Sequence, residues 1–161
     1  MVLGKPKEGA LVRVHSQCIT GDTFFSFRCD CGEQLRKSFE QLKKEGSGVL
    51  LYLGQEGRGI GLTAKIQAYA LQDRGYDTVE ANHALGLPID ARDYKIAADM
   101  LKDLGLRDIA LLTNNPDKEK QLSMYGIRIT KSIALETTPN SINKKYLRTK
   151  KQKMQHRLRK V

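Results

Sequence analysis

Three cysteines, Cys18, Cys29 and Cys31, fall within fourteen residues, and the chain has no others. An odd number of thiols argues against a disulfide framework. Three thiolates this close in sequence suit a tetrahedral zinc ion whose fourth position is left to water. Cys29 and Cys31 are two residues apart, so an extended segment would point both side chains the same way. A hairpin through Gly21 and Asp22 would return Cys18 to them. Two other readings stand beside this one: small buried hydrophobes, or a closed structural site completed by His15 or His83. The distinction is chemical, because only an open position acidifies water towards a pKa of about 7 and supplies hydroxide near neutrality. Three thiolates donate more charge than three histidines, so a nearby base or hydrogen-bond donor is expected to assist.

A second cluster, Gln55-Glu56-Gly57-Arg58-Gly59-Ile60-Gly61, follows the apolar run GVLLYL. Its alternating glycines permit close backbone approach to a ligand, and the helix start behind it favours anions. Arg58 adds a fork suited to phosphate. The segment matches neither G-x-x-x-x-G-K-[ST] nor G-x-G-x-x-G. Arg13, Arg92 and Lys118 read as further loop-borne cations, a set that would suit a triphosphate if the fold brings them together.

The elements that must position these groups alternate in type. Residues 11–28 mix β-branched and aromatic residues around Gly21-Asp22 and predict two short strands. Leu35, Phe39 and Leu42 recur at helical spacing ahead of Gly46, which predicts a helix over 33–45. Residues 48–53 read as a buried strand and 63–73 as a helix. Residues 75–92 read as loop, 93–104 as a helix, 108–113 as a strand, 117–125 as a helix and 127–135 as a strand. The fold class is α+β (mixed α/β): a single domain with short strands and about four helices.

The chain has 161 residues and a formal net charge of +10. Nine of its 28 basic residues lie after Glu136 and no acidic residue does, so the body is close to neutral. Residues 1–140 read as one folded domain, and 141–161 as a basic, solvated, partly helical tail. Such a tail attracts polyanions through long-range fields. The absence of Trp and of a basic stripe interleaved with aromatics argues against a dedicated nucleic-acid binder. No apolar run reaches the roughly 18 residues of a membrane span, and the opening MVLGKPKEGALVRV has no apolar signal core. A cytoplasmic protein is expected, without a membrane partner.

With these segments in view, the chain resembles GTP cyclohydrolase II, the zinc enzyme that begins riboflavin synthesis. The resemblance rests on Arg13-Val14-His15-Ser16-Gln17-Cys18-Ile19-Thr20-Gly21-Asp22, Arg28-Cys29-Asp30-Cys31-Gly32 and the Gln55–Leu62 segment. It continues through Tyr69–Asp73, Gly75–His83, Asp90-Ala91-Arg92-Asp93 and Leu112-Thr113-Asn114-Asn115-Pro116. In-order matches run from about residue 11 to 118 and fade beyond. The resemblance implies hydrolysis of GTP with release of formate and pyrophosphate, leaving 2,5-diamino-6-ribosylamino-4(3H)-pyrimidinone 5′-phosphate. It implies Cys18, Cys29 and Cys31 as ligands of one Zn²⁺ per subunit, Mg²⁺ with the triphosphate, and a homodimer. By the same resemblance Arg13, Val14, His15, Ser16, Gln17, Gln34, Glu56, Gly57, Arg58, Thr78, Thr113 and Lys118 contact GTP. Asp90, Arg92 and Tyr69 are the implied catalytic residues, Asp90 as proton acceptor and Arg92 as nucleophile at the α-phosphate. Guanidinium is a poor nucleophile while protonated, so charge stabilisation by Arg92 with water attacking stands as the alternative. Two other outcomes are carried along: a ring-opening paralogue with altered phosphate chemistry, and a zinc module binding nucleic acid through its tail. Three departures from the family pattern are the short segment of the catalytic domain (1–140) ahead of Arg13, Gly54, where arginine is common, and Gln155, where a glycine between Met154 and His156 is more usual. Deleting residues 147–161 is expected to leave the chemistry largely intact.

Overall fold

Five strands, β1 (Val2–Leu3), β2 (Ala10–Ser16), β3 (Gly48–Leu53), β4 (Asp108–Leu112) and β5 (Arg128–Ile133), pair in the order β1-β3-β2-β4-β5. The structure is a computed structural model describing residues 1–161. Only β1 runs antiparallel; β2 lies parallel to β3 with Val12 opposite Val49, and parallel to β4 with Val12 opposite Leu111. Side chains alternate across the pleat. Val12, Val14, Val49, Leu51, Ile109 and Leu111 share one apolar cluster, while Leu11, Leu50 and Leu112 join another on the opposite face. Helices cover both faces, which is why these strands read as nearly continuous apolar runs.

Helix α2 (Cys31–Glu45) covers one face through Leu42. Helices α5 (Lys95–Asp103) and α6 (Pro116–Met124) cover the other through Ala97, Ala98, Leu101 and Leu122. The chain leaves β2 towards β3 on one flank and leaves β4 towards β5 on the other. The loops after β2 and β4 therefore diverge and open a crevice at the strands' C-terminal ends, where α/β sheets place ligands.

Two helices lie where the sequence was read otherwise. The segment after β2 forms a short helix, α1 (Ile19–Asp22), rather than the far side of a hairpin. The Asp22 carboxylate accepts from the Cys18 N–H at 3.0 Å and bridges to His15, closing a helical turn. Phe24, Phe25 and Phe27, which suggested a second strand, lie exposed in a loop. Within 75–92 stands α4 (Thr78–Ala84), after α3 (Gly61–Asp73). It is opened by a capping box in which Asp77 accepts from the Val79 and Glu80 N–H groups and Glu80 accepts from the Asp77 N–H. The basic tail forms α7 (Lys144–Lys153) and leaves eight of its nine cations exposed, while Leu147, Thr149, Lys150 and Leu158 are buried and dock it on the body. No helix is long and apolar enough to cross a membrane.

Candidate active site

The cysteines meet where α1 and α2 begin. Cys18 follows β2, Cys29 lies in the loop before α2, and Cys31 is the first residue of α2. Their three Sγ atoms lie within 4.8 Å of one another, and Cys18 and Cys29 are 3.7 Å apart. Zn–S bonds of about 2.3 Å in a tetrahedron put sulfurs about 3.8 Å apart, so the cluster fits a metal ion without rearrangement. Close backbone approach makes this possible. A Cβ on Gly21 would stand 2.8 Å from Cys29 Sγ, and one on Gly32 would stand 2.2 Å from the Gly21 carbonyl oxygen. Hydrogen bonding from the other two thiols, together with Lys65, holds the Cys18 thiol far below its ordinary pKa. The same contact with Cys18 pushes Cys29 up to about 12 and raises Cys31 well above its ordinary value. Histidine does not complete this cluster: His15 Nε2 lies 3.1 Å from the Asp22 carboxylate and its ring stacks on Tyr52, while His83 is exposed.

Helix α3 supplies the next layer. Lys65 Nζ donates to Cys18 Sγ at 3.1 Å, to Thr20 Oγ1 at 2.8 Å and to Glu56 Oε1 at 2.8 Å. Tyr69, one helical turn on, has its hydroxyl 3.4 Å from Thr20 Oγ1. The Glu56 carboxylate also accepts from the Ile19 N–H at 2.6 Å and the Gly57 N–H at 2.7 Å.

Away from the sulfurs the cleft is cationic. Arg13, Arg28, Arg58, Lys65, Arg92, Lys118 and Lys150 line it against one carboxylate, Glu56. Counted out to its open, solvent-filled mouth it encloses about 1090 Å³. Arg58 reaches it because Gly57, Arg58 and Gly59 have φ of 63°, 62° and 90°. Glycine adopts this left-handed backbone freely, and arginine only at a cost. Arg58 donates to Thr78 Oγ1 and to the Ile89 carbonyl. Arg13 projects from β2 to the Leu112 carbonyl and to Gln34 Oε1 at 2.7 Å, and burial lowers its pKa to about 10. Lys118 Nζ donates to the Val14 carbonyl at 2.7 Å; burial, then Arg13, Arg92 and Lys150, push it well below an ordinary lysine. Cations crowded in this way repel one another until an anion arrives.

A sulfur cluster that could hold a metal lines the same cleft as these cations. The sequence pattern described as GTP cyclohydrolase II matches residues 1–134. The chain belongs to the GTP cyclohydrolase II family. Its relatives include riboflavin biosynthesis protein RibBA of Chlorobium phaeovibrioides, 58% identical over 149 residues, which cover 92% of this chain and 36% of that protein. The RibBA proteins of Aquifex aeolicus and Bacillus subtilis are 55% and 56% identical, each match covering 94% of this chain and 38% of the relative. The chain thus spans under two-fifths of the length of these relatives. The match to the RibBA protein of Endomicrobium trichonymphae, 55% identical, covers 98% of this chain and 39% of the relative, and so reaches into the C-terminal segment beyond the family pattern's end.

Of the residues implied by the GTP cyclohydrolase II resemblance, Arg13, His15, Ser16, Gln17, Gln34, Glu56, Gly57, Arg58, Thr78, Thr113, Lys118, Tyr69 and Arg92 all line the cleft beside the cysteines. Two do not. Val14 packs in the core and presents only its carbonyl, to Lys118. Asp90 lies behind Arg92, whose Nε donates to it at 2.8 Å. Arg13 and Lys118 sit on β2 and α6 rather than on loops. Sequence reasoning missed Arg28, Lys65, Tyr146, Lys150, Met154 and His156, all of which line the cleft. Lys65 was legible as the residue one turn before Tyr69 on the same helix face. The last four lie in or just after α7, where charge density concealed the apolar anchors Leu147 and Leu158.

Proposed function

We propose that this chain hydrolyses GTP at the guanine imidazole ring and at the phosphoanhydride. The products are formate, pyrophosphate and 2,5-diamino-6-ribosylamino-4(3H)-pyrimidinone 5′-phosphate, in the first step of riboflavin synthesis. One juxtaposition carries the reading: a three-sulfur cluster suited to a single zinc ion opens onto a cleft otherwise lined by cations. That pairing suits a ligand with a reactive base at one end and a polyanion at the other.

Cys18, Cys29 and Cys31 would hold the zinc, which when bound supplies Lewis-acid activation of water for attack at C8. Lys65 keeps a positive charge against the Cys18 sulfur, and Tyr69 offers a hydroxyl for proton movement near the ring being opened. Glu56 accepts hydrogen bonds only, which fits the ring N–H and exocyclic amine of guanine. It must exchange its Ile19 or Lys65 contact to reach them. Arg58, Lys118 and Arg13 neutralise phosphate charge, with Mg²⁺ carried mainly by phosphate oxygens.

At the α-phosphate, burial opposes charge on Arg92, but the hydrogen bonds to Asp90 outweigh it and hold its pKa above that of an ordinary arginine. A guanidinium held so firmly protonated acts by stabilising charge on phosphorus and not as a nucleophile. Asp90 then orients Arg92, and water attacks. A homodimer belongs to the same reading, with exposed Phe24, Phe25 and Phe27 as an apolar face to bury. Three of the tail's nine cations are paired within the chain: Lys150 with Asp30, Lys153 with Asp77 and Glu80, and Arg157 with Glu119. This lowers the charge free for a nucleic-acid partner. Incubation with GTP and separate assays of formate and pyrophosphate test the proposal. Both products support it, formate alone indicates a ring-opening paralogue, and neither product rejects it.

A further inference from the structure

We propose that His156 is a polyphosphate-binding residue of this site, its Nε2–H donating to an oxygen of the nucleotide's phosphate chain. The inference rests on the GTP reading above and adds a wall of the site that no cleft-lining residue of the body provides.

Three buried side-chain polar atoms in the protein lack a hydrogen-bond partner: Arg13 Nε, Tyr94 OH and His156 Nε2. Buried polar groups are nearly always paired, and exceptions call for an explanation. His156 lines the same cleft as the phosphate-facing cations. Arg58, Arg92, Lys118 and Lys150, from the loop after β3, the segment before α5, α6 and α7 respectively, line this cleft with it and act on its charge. Burial first, and then these four charges, lower its pKa to about 2, which favours the neutral ring; with its proton on Nε2 that ring presents an N–H to the cleft. Arginine and lysine only donate hydrogen bonds. The ring therefore has no acceptor among its charged neighbours, and none of them donates to Nε2. An oxyanion entering the cleft would supply the missing acceptor and offset all four charges together.

The backbone holds the ring in place from both sides. The His156 N–H donates to the Lys150 carbonyl at 3.1 Å, and the Arg157 N–H to the Asn114 carbonyl at 2.9 Å. Leu158 is buried, Arg157 pairs with Glu119 at 3.0 Å, and Met154 Sδ accepts from Arg58 Nη1 at 3.2 Å. Gln155 adopts a φ of 56°, a left-handed conformation that costs energy for any residue but glycine.

The test compares zinc-loaded wild type with His156→Asn and His156→Gln by calorimetry, using pyrophosphate and guanosine as separate probes. A glutamine amide reaches the Nε2 position and an asparagine amide stops short of it. His156→Asn should weaken pyrophosphate binding by about tenfold or more, the scale of a hydrogen bond to a charged group, and leave guanosine binding unchanged. His156→Gln should recover most of the loss. Wild-type affinity for pyrophosphate in His156→Asn, or equal weakening of both probes, overturns the inference. A measurement needing no variant is the Nε2 resonance of ¹⁵N-histidine-labelled protein, which should move on adding pyrophosphate; an unmoved resonance also overturns it. Formate release from GTP by the wild type separates the two levels. Its absence rejects the functional reading, whereas formate release with unaltered pyrophosphate binding in His156→Asn rejects the His156 assignment alone.

Discussion

Lys65 Nζ stands 3.1 Å from the sulfur of Cys18, so an α3 ammonium from 47 residues downstream is pressed against the candidate metal cluster. The same ammonium is bonded to Glu56 at 2.8 Å, which links the sulfurs to the glycine-rich loop after β3. Outer contacts of this kind tune metal affinity and activity by about 10- to 100-fold. Lys65→Met should therefore lower formate release by that order while pyrophosphate affinity stays near wild type. Unchanged formate release would show that the contact is incidental.

Backbone proximity at Gly32 gives a second prediction. A methyl group there would lie 2.2 Å from the Gly21 carbonyl oxygen, and a backbone atom cannot swing aside as a flexible side chain can. Gly32→Ala should separate α1 from the start of α2, destabilise the fold by about 1–3 kcal/mol, as overpacking does, and reduce zinc bound per chain. Thermal unfolding and metal analysis on the same sample check both parts. Full zinc occupancy at an unshifted melting temperature would contradict the close approach.

Gln155 carries the reverse expectation. Its φ of 56° is the conformation that favours the glycine usual at this position. Gln155→Gly should stabilise the protein by up to about 1 kcal/mol, reduced by the extra freedom glycine has when unfolded. A fall in melting temperature would indicate that the glutamine side chain contributes something the backbone argument omits.

Acidification should destabilise the protein partly through His156. The folded pKa is about 2 against 6.5 for an ordinary histidine, so below pH 6.5 the unfolded chain binds the proton and the native state does not. Stability is then fully present above that pH and declines as pH falls towards 2. The slope from this group is at most about 1.4 kcal/mol per pH unit, less where water reaches the ring. His156→Gln should flatten the denaturation midpoint between pH 6 and 4; an unchanged slope would mean the ring is protonated in the native state.

Much of this arrangement was legible in the sequence because it rests on local pattern. β3 was bounded by glycines and filled by one apolar run, and its limits fall where Gly48 and Leu53 set them. The cysteine trio and the Gly57–Gly61 loop announced themselves by residue type. What escaped depended on partners distant in the chain. The Phe24–Phe27 stretch has strand-like composition but no neighbouring strand, and Asp22 instead closes a helical turn with Cys18 and His15. α4 was signalled by Asp77 and Glu80 three residues apart, a capping signature hidden among loop-forming residues. The tail's charges are largely exposed, as read; what escaped were the few side chains and acceptors that dock the tail on the body. In the fold Asp30, Asp77, Glu80, Glu119 and Glu136 receive it. Deleting residues 147–161, expected from sequence to spare the chemistry, should therefore impair it, since Lys150, Met154 and His156 line the cleft.

The central claim is that Cys18, Cys29 and Cys31 together hold one zinc ion that ring opening requires. Its most direct test measures zinc content and formate release from GTP side by side in wild type and in Cys29→Ser. The account predicts about one zinc per chain with formate release in the wild type, and loss of both in the variant. Formate release at wild-type rate from metal-free Cys29→Ser would contradict it.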